Sequence, residues 1–412
     1  MKFPAIIIAM SLLTHLLFFG EPREVVFDEV YMGDFISSYS QSRSYFDIHP
    51  PLAKLMSHYI GRVVGISYEN IDFSLIGNGI SGEIIYLRIL PLIAGILLPL
   101  IVYFICRRLG ISVIASFVVG ILMCFENSLI VQSRYILFDS TLLFFGFSSI
   151  LMYLFYIKDE NKRSFILYSA ILSACAFSIK WTGLAYPLLI ILYEIIRTRD
   201  IRKITSFAGT YIFIGIIIYA SAFALHFSFT PIDGESIVGR FIELNKTMYT
   251  SNKYLTATHQ YGSMWYTWPL MIRPVFYWQD TETHRYIYLL GNILIYVLGT
   301  ISMMLVLLYS TIFDRKNKIS LFILIGFFVN FIPYAFIGRV MFLYHYEAAL
   351  VFSIIGIGFI IDKIKTNNAK LIVSIVIVSL SIVLFIYFSP LTYGTFLTDQ
   401  EIGSRMWLSS WR

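Results

Sequence analysis

Two adjacent carboxylates, Asp28 and Glu29, directly follow the first hydrophobic segment of the chain, and Asp47 and His49 lie about twenty residues further on. A carboxylate at the end of a membrane segment is costly to desolvate, so it is either kept hydrated or retained for chemistry. In its ionised form it can accept a proton from a hydroxyl nucleophile. Because adjacent side chains diverge, we expect one carboxylate to act as general base and the other to orient the reactants. The alternative is a hydrated loop with ordinary charges.

A lone arginine, Arg88, lies inside the second hydrophobic segment, near its predicted outer end. A guanidinium at that depth costs about a few kcal/mol, so we expect it to have an anionic partner. A lipid-linked phosphate suits the two-pronged geometry of the group. Pairing with a nearby carboxylate of the protein is an equally good interpretation, and the sequence leaves both open.

Two further clusters mark the predicted outer ends of hydrophobic segments. Arg134 and Asp139 bracket the start of one segment, and their five-residue separation stacks poorly on a helix. We interpret this pair as a structural ion bridge in preference to a substrate contact. Arg339 and His345 belong to a basic and aromatic cluster, in which His345 either binds phosphate or packs in the interior.

An aromatic run between residues 259 and 278 forms a third cluster. Tryptophan and tyrosine at this density are typical of a membrane-interface belt. The alternative is a platform for a sugar or a prenyl chain. The candidate contacts in this run are His259, Trp265, Trp268 and Arg273.

The elements that must position these residues are membrane helices. Of the 412 residues, 58% are hydrophobic and 14% are charged, a composition that excludes a soluble protein. We predict an all-α polytopic membrane protein of about eleven spans, because segments near bilayer-crossing length recur along the whole chain. The predicted spans are 4–19, 84–105, 111–126, 136–157, 165–179, 181–196, 205–228, 286–310, 319–337, 341–361 and 371–388.

Every second short loop is basic, which predicts a cytoplasmic N-terminus by the positive-inside rule. The long segments 20–83 and 229–285 and the tail 389–412 then face outward, and they hold most of the acidic residues. We treat residues 1–412 as a single membrane domain. The net charge of +6 is assigned to loops facing anionic lipid and not to nucleic-acid binding. The three cysteines suggest neither a disulfide framework nor a zinc site.

The stretch after Pro50 and Pro51 has apolar residues at helical spacing, including Leu55 and Tyr59. Lys54 falls on the opposite side. This pattern predicts a helix lying in the membrane interface within the first outer segment.

Taken in order, these motifs resemble the protein O-mannosyltransferases of the glycosyltransferase C superfamily, which use dolichyl or polyprenyl phosphate mannose. The resemblance spans nearly the whole chain. It rests on residues 27–30, 49–54, 133–139, 180–184, 268–269 with 273–274, and 341–346.

The resemblance implies an inverting transfer of mannose to Ser or Thr hydroxyls of exported proteins, in the cell membrane, with the active site outside. Asp28 would be the base and Glu29 its partner in orienting or binding the acceptor. The expected contacts to the donor phosphate are Arg88, Arg134, Arg339 and His345. The expected contacts to substrate in the outer loops are His49, Lys54, His259, Trp265, Trp268 and Arg273.

Departures from the family pattern limit this interpretation. Gln260 stands where bacterial relatives tend to carry proline, and the large lumenal domain of the eukaryotic enzymes has no counterpart, so a bacterial or archaeal source is expected. The residues indicate no metal cage, although a divalent cation at the phosphate stays open. The sequence also leaves three alternatives undecided. The protein could form a dimer, it could transfer the sugar to a lipid instead of a protein, or it could be a flippase or transporter.

Overall fold

The computed structural model describes residues 2–68, 71–159, 162–230, 236–255 and 257–412. Helices dominate these residues, as the composition predicts. The helices are α1 (Lys2–Leu16), α2 (Glu29–Ser40), α3 (Leu52–Val64), α4 (Ile89–Leu109), α5 (Val113–Cys124), α6 (Asn127–Arg134), α7 (Asp139–Lys158), α8 (Ser164–Phe177), α9 (Ala185–Thr198), α10 (Ile201–Phe229), α11 (Ile237–Tyr254), α12 (Ile293–Leu308), α13 (Lys318–Val329), α14 (Glu347–Asp362), α15 (Asn367–Tyr393) and α16 (Asp399–Arg405).

Short helical turns complete several of these elements. A π-helical turn, Tyr309–Phe313, extends α12. The 3₁₀ turns are Gly82–Arg88, Trp181–Leu184, Trp265–Leu270, Ile332–Phe336, Leu343–Tyr346 and Ser409–Trp411.

Seven helices in the described ranges are long and apolar enough to cross a membrane. An eighth crossing results if α5 and α6, which meet at 53°, form one broken span. Helices α1 and α8 are apolar but shorter. Each predicted span overlaps a helix, which confirms the polytopic helical class, whereas the number eleven stays a prediction. The seven are Gly82–Leu109, Asp139–Lys158, Ile201–Phe229, Ile293–Phe313, Lys318–Phe336, Leu343–Asp362 and Asn367–Tyr393.

A β-hairpin corrects one predicted boundary. Strands β1 (Val275–Asp280) and β2 (Arg285–Leu289) pair antiparallel, with Val275 opposite Leu289 and Asp280 opposite Arg285. Both strands are rich in aromatic and β-branched residues, which favour a pleated surface. Residues 286–289 were expected to begin a span because they are apolar; they belong to β2, and the helix begins at Ile293.

Helix α3 is two-sided, as its pattern predicts. Lys54 and His58 face the protein interior, whereas Tyr59 and Val63 are exposed. An exposed side that is apolar suits a helix resting on lipid. Leu55, which belongs to the predicted apolar stripe, is buried inside the protein.

Three helices begin at acidic residues that face one region. Asp28 immediately precedes α2, Asp139 opens α7, and Glu347 opens α14. Acidic groups are favourable at helix N-termini, where backbone N–H groups lack helical partners. The three helix starts therefore place carboxylates around a common space.

Candidate active site

A cavity of about 1210 Å³ opens where these helix starts meet. Its apolar wall includes residues of α2, α7 and the segment 336–348. Several titratable side chains line the same space, an arrangement typical of a binding or active site. They include Asp28, Asp47, His49, Asp139, Lys180, Lys253, His259, Arg339, His345 and Glu347.

The two adjacent carboxylates point in different directions. Asp28 lines the cavity, whereas Glu29 is 0% exposed. Glu29 accepts hydrogen bonds from the Arg88 guanidinium at 2.7 and 2.8 Å. It also accepts from the backbone N–H groups of Val26, at 2.9 Å, and Ile136, at 2.8 Å. Glu29 therefore joins three chain segments beneath Asp28, and both of its oxygens are occupied by protein donors.

Arg88 is placed differently from the phosphate contact expected from the resemblance. Its guanidinium is 0% exposed and forms the ion pair with Glu29. Its other donors reach the carbonyl oxygens of Pro22, at 2.9 Å, and Glu24, at 2.8 Å. Its Cζ lies over the Tyr135 ring, 5.0 Å from the ring centre. Four of its five N–H groups have partners, and Arg88 is not part of the cavity lining. Arg88 therefore follows the other interpretation, pairing with a carboxylate.

Arg134 also lies away from the cavity. Its guanidinium donates to the carbonyl oxygens of His15 and Leu17, at 2.9 and 2.7 Å, and to that of Phe18 at 2.5 Å. His15 lies in the last turn of α1, and Leu17 and Phe18 directly follow the helix, so the arginine holds the chain where α1 ends. The expected ion bridge to Asp139 does not form, because Asp139 pairs with another residue.

That residue is Lys180. Its ammonium lies 2.7 and 2.8 Å from the two Asp139 oxygens. Gln132 donates to Asp139 at 2.9 Å, and the Tyr277 hydroxyl donates to Gln132 at 2.7 Å. Tyr277 in turn stacks on Phe27, with ring centres 4.1 Å apart. One network thus runs from the lysine to the residue that precedes Asp28.

Two backbone features hold the ends of this network. Phe27 has a φ of 46°, a strained value for a residue with a side chain, and its N–H donates to the Tyr277 carbonyl. Gly183 follows Lys180 closely, and a Cβ there would lie 2.4 Å from the backbone of Ala176. A glycine at 183 therefore allows the turn that directs Lys180 into the cavity.

The surroundings of Asp28 favour a carboxyl group that is partly protonated near neutral pH. Burial raises the pKa of Asp28 from its ordinary value to about 7. The positive charge of Lys180 opposes this shift, and the nearby Asp139 and Asp47 add to it. A carboxyl with that pKa accepts a proton more readily than an ordinary aspartate does.

Asp47 and Lys54 form a second ion pair beside the cavity. The lysine is buried, contacts the Asp47 carboxylate, and donates to the carbonyls of His49 and Pro50 at 3.1 Å. Its donors thus hold the protein segment 47–50 in place. His49 lines the cavity, and burial together with the nearby Lys180 lowers the pKa of its imidazole well below the ordinary value. His49 is therefore neutral at pH 7.

Arg339 and His345 both lie in the cavity wall, on the segment that leads into α14. Arg339 is partly exposed and forms no ion pair with any residue that the structure describes. His345 stacks between Trp268, at 5.9 Å, and Tyr344, at 4.5 Å. Trp268 is thus a buried support for the histidine.

The rest of the aromatic run divides between cavity and packing. His259 lines the cavity and meets Phe342 edge to face. Trp265 packs against Phe331, and Arg273 donates to the Ser410 carbonyl at 3.3 Å. Trp265, Trp268 and Arg273 are not part of the cavity lining.

Lys180 and Glu347 are cavity residues that were not expected from the sequence. Lys180 joins two apolar segments, a position from which a lysine would extend its ammonium to the membrane interface, and Glu347 lies inside a predicted span. A charged residue within an apolar segment is itself a signal of function, and Glu347 carries it. Within the described part of the chain, no three His, Cys, Asp or Glu side chains are grouped to hold a metal ion.

Sequence comparison finds two family models that match consecutive parts of the chain. The model described as dolichyl-phosphate-mannose-protein mannosyltransferase matches residues 5–230. The model described as the C-terminal four TMM region of protein-O-mannosyltransferase matches residues 237–411. Together they include every candidate residue considered above.

Curated relatives align over part of their length. Dolichyl-phosphate-mannose--protein mannosyltransferase 4 of Candida albicans is 30% identical over 59% of this chain and 35% of its own length. Protein O-mannosyl-transferase 1 of Mus musculus is 34% identical over 44% of this chain and 26% of its own. The chain therefore spans about a third or less of the length of these relatives.

Solved structures share the fold over most of the chain. One chain of the Saccharomyces cerevisiae protein O-mannosyltransferase Pmt1-Pmt2 complex bound to the sugar donor superposes with a TM-score of 0.90, at 18% identity, covering 100% of this chain and 92% of that one. ArnT from Cupriavidus metallidurans gives 0.61, at 14% identity, covering 89% of this chain and 61% of that one. These matches confirm the glycosyltransferase C architecture.

Proposed function

Because the chain belongs to the dolichyl-phosphate-mannose-protein mannosyltransferase family, we propose that it transfers mannose from a polyprenyl phosphate to Ser or Thr hydroxyls of exported proteins. The observation that carries this proposal is the cavity, which holds a carboxyl group with a pKa of about 7, Asp28, together with Lys180 and Arg339. A glycosyl phosphate needs cations for its leaving group and a base for its acceptor, and this space offers both.

In the proposed reaction the Asp28 carboxylate takes the proton from the acceptor hydroxyl. The hydroxyl oxygen bonds to the anomeric carbon as the bond from that carbon to the phosphate oxygen breaks. The two electrons of the broken bond leave with the phosphate. Because the hydroxyl oxygen attacks the face opposite the departing phosphate, the configuration at the carbon inverts. A phosphate leaves as a stable anion and needs charge stabilisation more than a proton, so one carboxylate suffices, in contrast to a glycosidase.

Lys180 and Arg339 are the residues we propose for the donor phosphate, in place of Arg88 and Arg134. Lys180 is oriented by Asp139, and Arg339 keeps its donors free of any ion pair within the described ranges. Arg339→Ala should raise the KM for the donor about tenfold and also lower kcat, since it removes a contact to the phosphate that strengthens as the phosphate leaves. Steady-state kinetics would test this, with Arg315→Ala, in a short exposed loop, as the matched control. An unchanged KM would remove Arg339 from the site.

The active site is proposed to face outward from a multi-pass protein of the cell membrane. Support comes from contacts among the three segments with that predicted orientation. Glu21 of the first lies 3.8 Å from Arg285 of the second. His284 of the second accepts a hydrogen bond from Leu397 N–H, in the tail, at 2.9 Å. Segments that contact one another must lie on the same side of the membrane. These contacts therefore support a single domain in which all three segments face outward.

The direct test uses purified protein in detergent, radiolabelled polyprenyl phosphate mannose and a Ser/Thr-rich peptide. We expect label on this peptide and none on a matched peptide with alanine at every Ser and Thr. Label that appears in membrane lipid would contradict a protein acceptor and indicate the related lipid-directed transferase. Bound donor with no labelled product of either kind would contradict the transferase proposal and favour a carrier of the lipid-linked sugar.

A further inference from the structure

Glu347 is a buried acidic residue whose side chain has no hydrogen-bond partner in the described part of the chain. It lines the cavity and is 2% exposed, at the first residue of α14. Neither of its carboxylate oxygens has a hydrogen-bond partner among the residues that the structure describes. A buried carboxylate normally accepts several hydrogen bonds, because leaving it without partners costs its full desolvation. Both side-chain oxygens of Glu347 are therefore available to accept hydrogen bonds from a ligand.

The other buried glutamates show what a structural role requires. Glu29 is satisfied by Arg88 and two backbone N–H groups, as described above. Glu126 accepts from the Ser128 hydroxyl and from two backbone N–H groups, at 2.7 to 2.8 Å. Glu194 accepts from Tyr153 at 2.6 Å and pairs with Arg197. Glu347 differs from all three, so a purely structural explanation does not account for it.

The charges of the cavity limit what can approach Glu347. A lipid phosphate is negatively charged and is drawn to the cations Lys180 and Arg339, and not to an acidic side chain. The part of the donor that suits Glu347 is uncharged and rich in hydrogen-bond donors. Sugar hydroxyl groups meet both conditions, and one carboxylate can accept from two neighbouring hydroxyls.

We propose that Glu347 binds hydroxyl groups of the hexose on the lipid donor and thereby distinguishes the glycosylated donor from the sugar-free lipid phosphate. This inference rests on the proposed function, because it takes a polyprenyl phosphate hexose as the ligand. A site that hydrogen-bonds a substrate hydroxyl rejects an analogue without it, because the buried group is then left unpaired. Glu347 is in this sense a specificity residue and takes no part in proton transfer.

The test compares binding of polyprenyl phosphate mannose with binding of polyprenyl phosphate, which has no sugar. No acceptor is present, and only binding is measured. The result can therefore be interpreted even if the protein does not catalyse transfer. We expect Glu347→Leu to weaken binding of the mannosyl lipid about 10- to 100-fold and to change binding of the sugar-free lipid less than about twofold. Glu347→Gln keeps the size and one acceptor, so its loss should be smaller and equally dependent on the sugar.

Glu126→Gln is the matched control, since it removes the charge of a satisfied buried glutamate outside the cavity lining. This variant should either weaken the binding of both lipids equally or leave the binding of both unchanged. If Glu347→Leu does not fold, the Glu347→Gln variant decides the question. A loss that is equal for the two lipids, or no loss, would overturn the proposal. A wild-type protein that does not bind the mannosyl lipid would instead contradict the proposed function.

Discussion

Asp28→Asn is expected to lower kcat for mannosyl transfer by about a thousandfold or more, while the Kd for the donor changes less than about threefold. The amide has nearly the shape of the carboxyl but cannot accept the acceptor proton. The Asp28 side chain lines the cavity and bonds to no other side chain among the described residues, whereas the neighbouring Glu29 holds the fold together through Arg88. Single-turnover transfer and equilibrium donor binding, measured on the same preparation, would separate the two effects.

The matched control is Asp34→Asn, which makes the same change six residues along the chain. Asp34 belongs to α2, is exposed, and pairs with Arg43 outside the cavity. We expect this variant to retain wild-type turnover. Unchanged turnover in Asp28→Asn would contradict the base assignment, and a matching loss of donor binding would indicate a binding role.

The pH profile of the wild type gives a second measure of the same assignment. Burial raises the pKa of Asp28 to about 7, so the fraction in the basic, ionised form grows as the pH rises through 7. At pH 5, about 1% of this carboxyl would be ionised, so kcat/KM should be about a hundredfold below its plateau. An ordinary aspartate would give a flat profile over this range, and a flat profile would contradict the assignment.

The positions of most helices could be predicted from the sequence. Hydropathy locates them, because bilayer-crossing length is a strong constraint. It misplaces the start of α12, because the apolar aromatic residues 286–289 suit a strand and a span equally well. Asp28, His49, His259, Arg339 and His345 were expected at a substrate site, and all five line the cavity.

The assignments that changed depend on contacts distant in sequence. Glu29 and Arg88 are 59 residues apart, and Asp139 and Lys180 are 41 apart. No local pattern specifies which carboxylate a given cation meets, so Arg88 was equally well explained by a phosphate. The apolar segments that flank Lys180 favour a position at the membrane interface. Its inward direction depends on the close turn at Gly183, which is a tertiary contact.

Arg88→Met should destabilise the protein by about 3–5 kcal/mol, because it leaves Glu29 buried, charged and without its cation. Glu29→Gln should cost a similar amount for the converse reason. In the double variant neither charge remains, so its loss should be clearly smaller than the sum of the two single losses. Thermal unfolding in detergent measures all three, with Arg43→Met as the control for an exposed pair that contributes less than about 1 kcal/mol.

This cycle decides between the two explanations of Arg88. If the arginine serves the fold, the single variants lose stability, and the folded fraction keeps its affinity for polyprenyl phosphate. If the arginine bound phosphate, Arg88→Met would keep near-normal stability and lose donor affinity, and Glu29→Gln would not correct it. The guanidinium donates to Glu29 and to the carbonyls of Pro22 and Glu24, which uses four of its five N–H groups, so a two-pronged contact to a phosphate would break a bond beneath Asp28. That geometry makes loss of stability the expected result, with loss of activity following from displacement of Asp28.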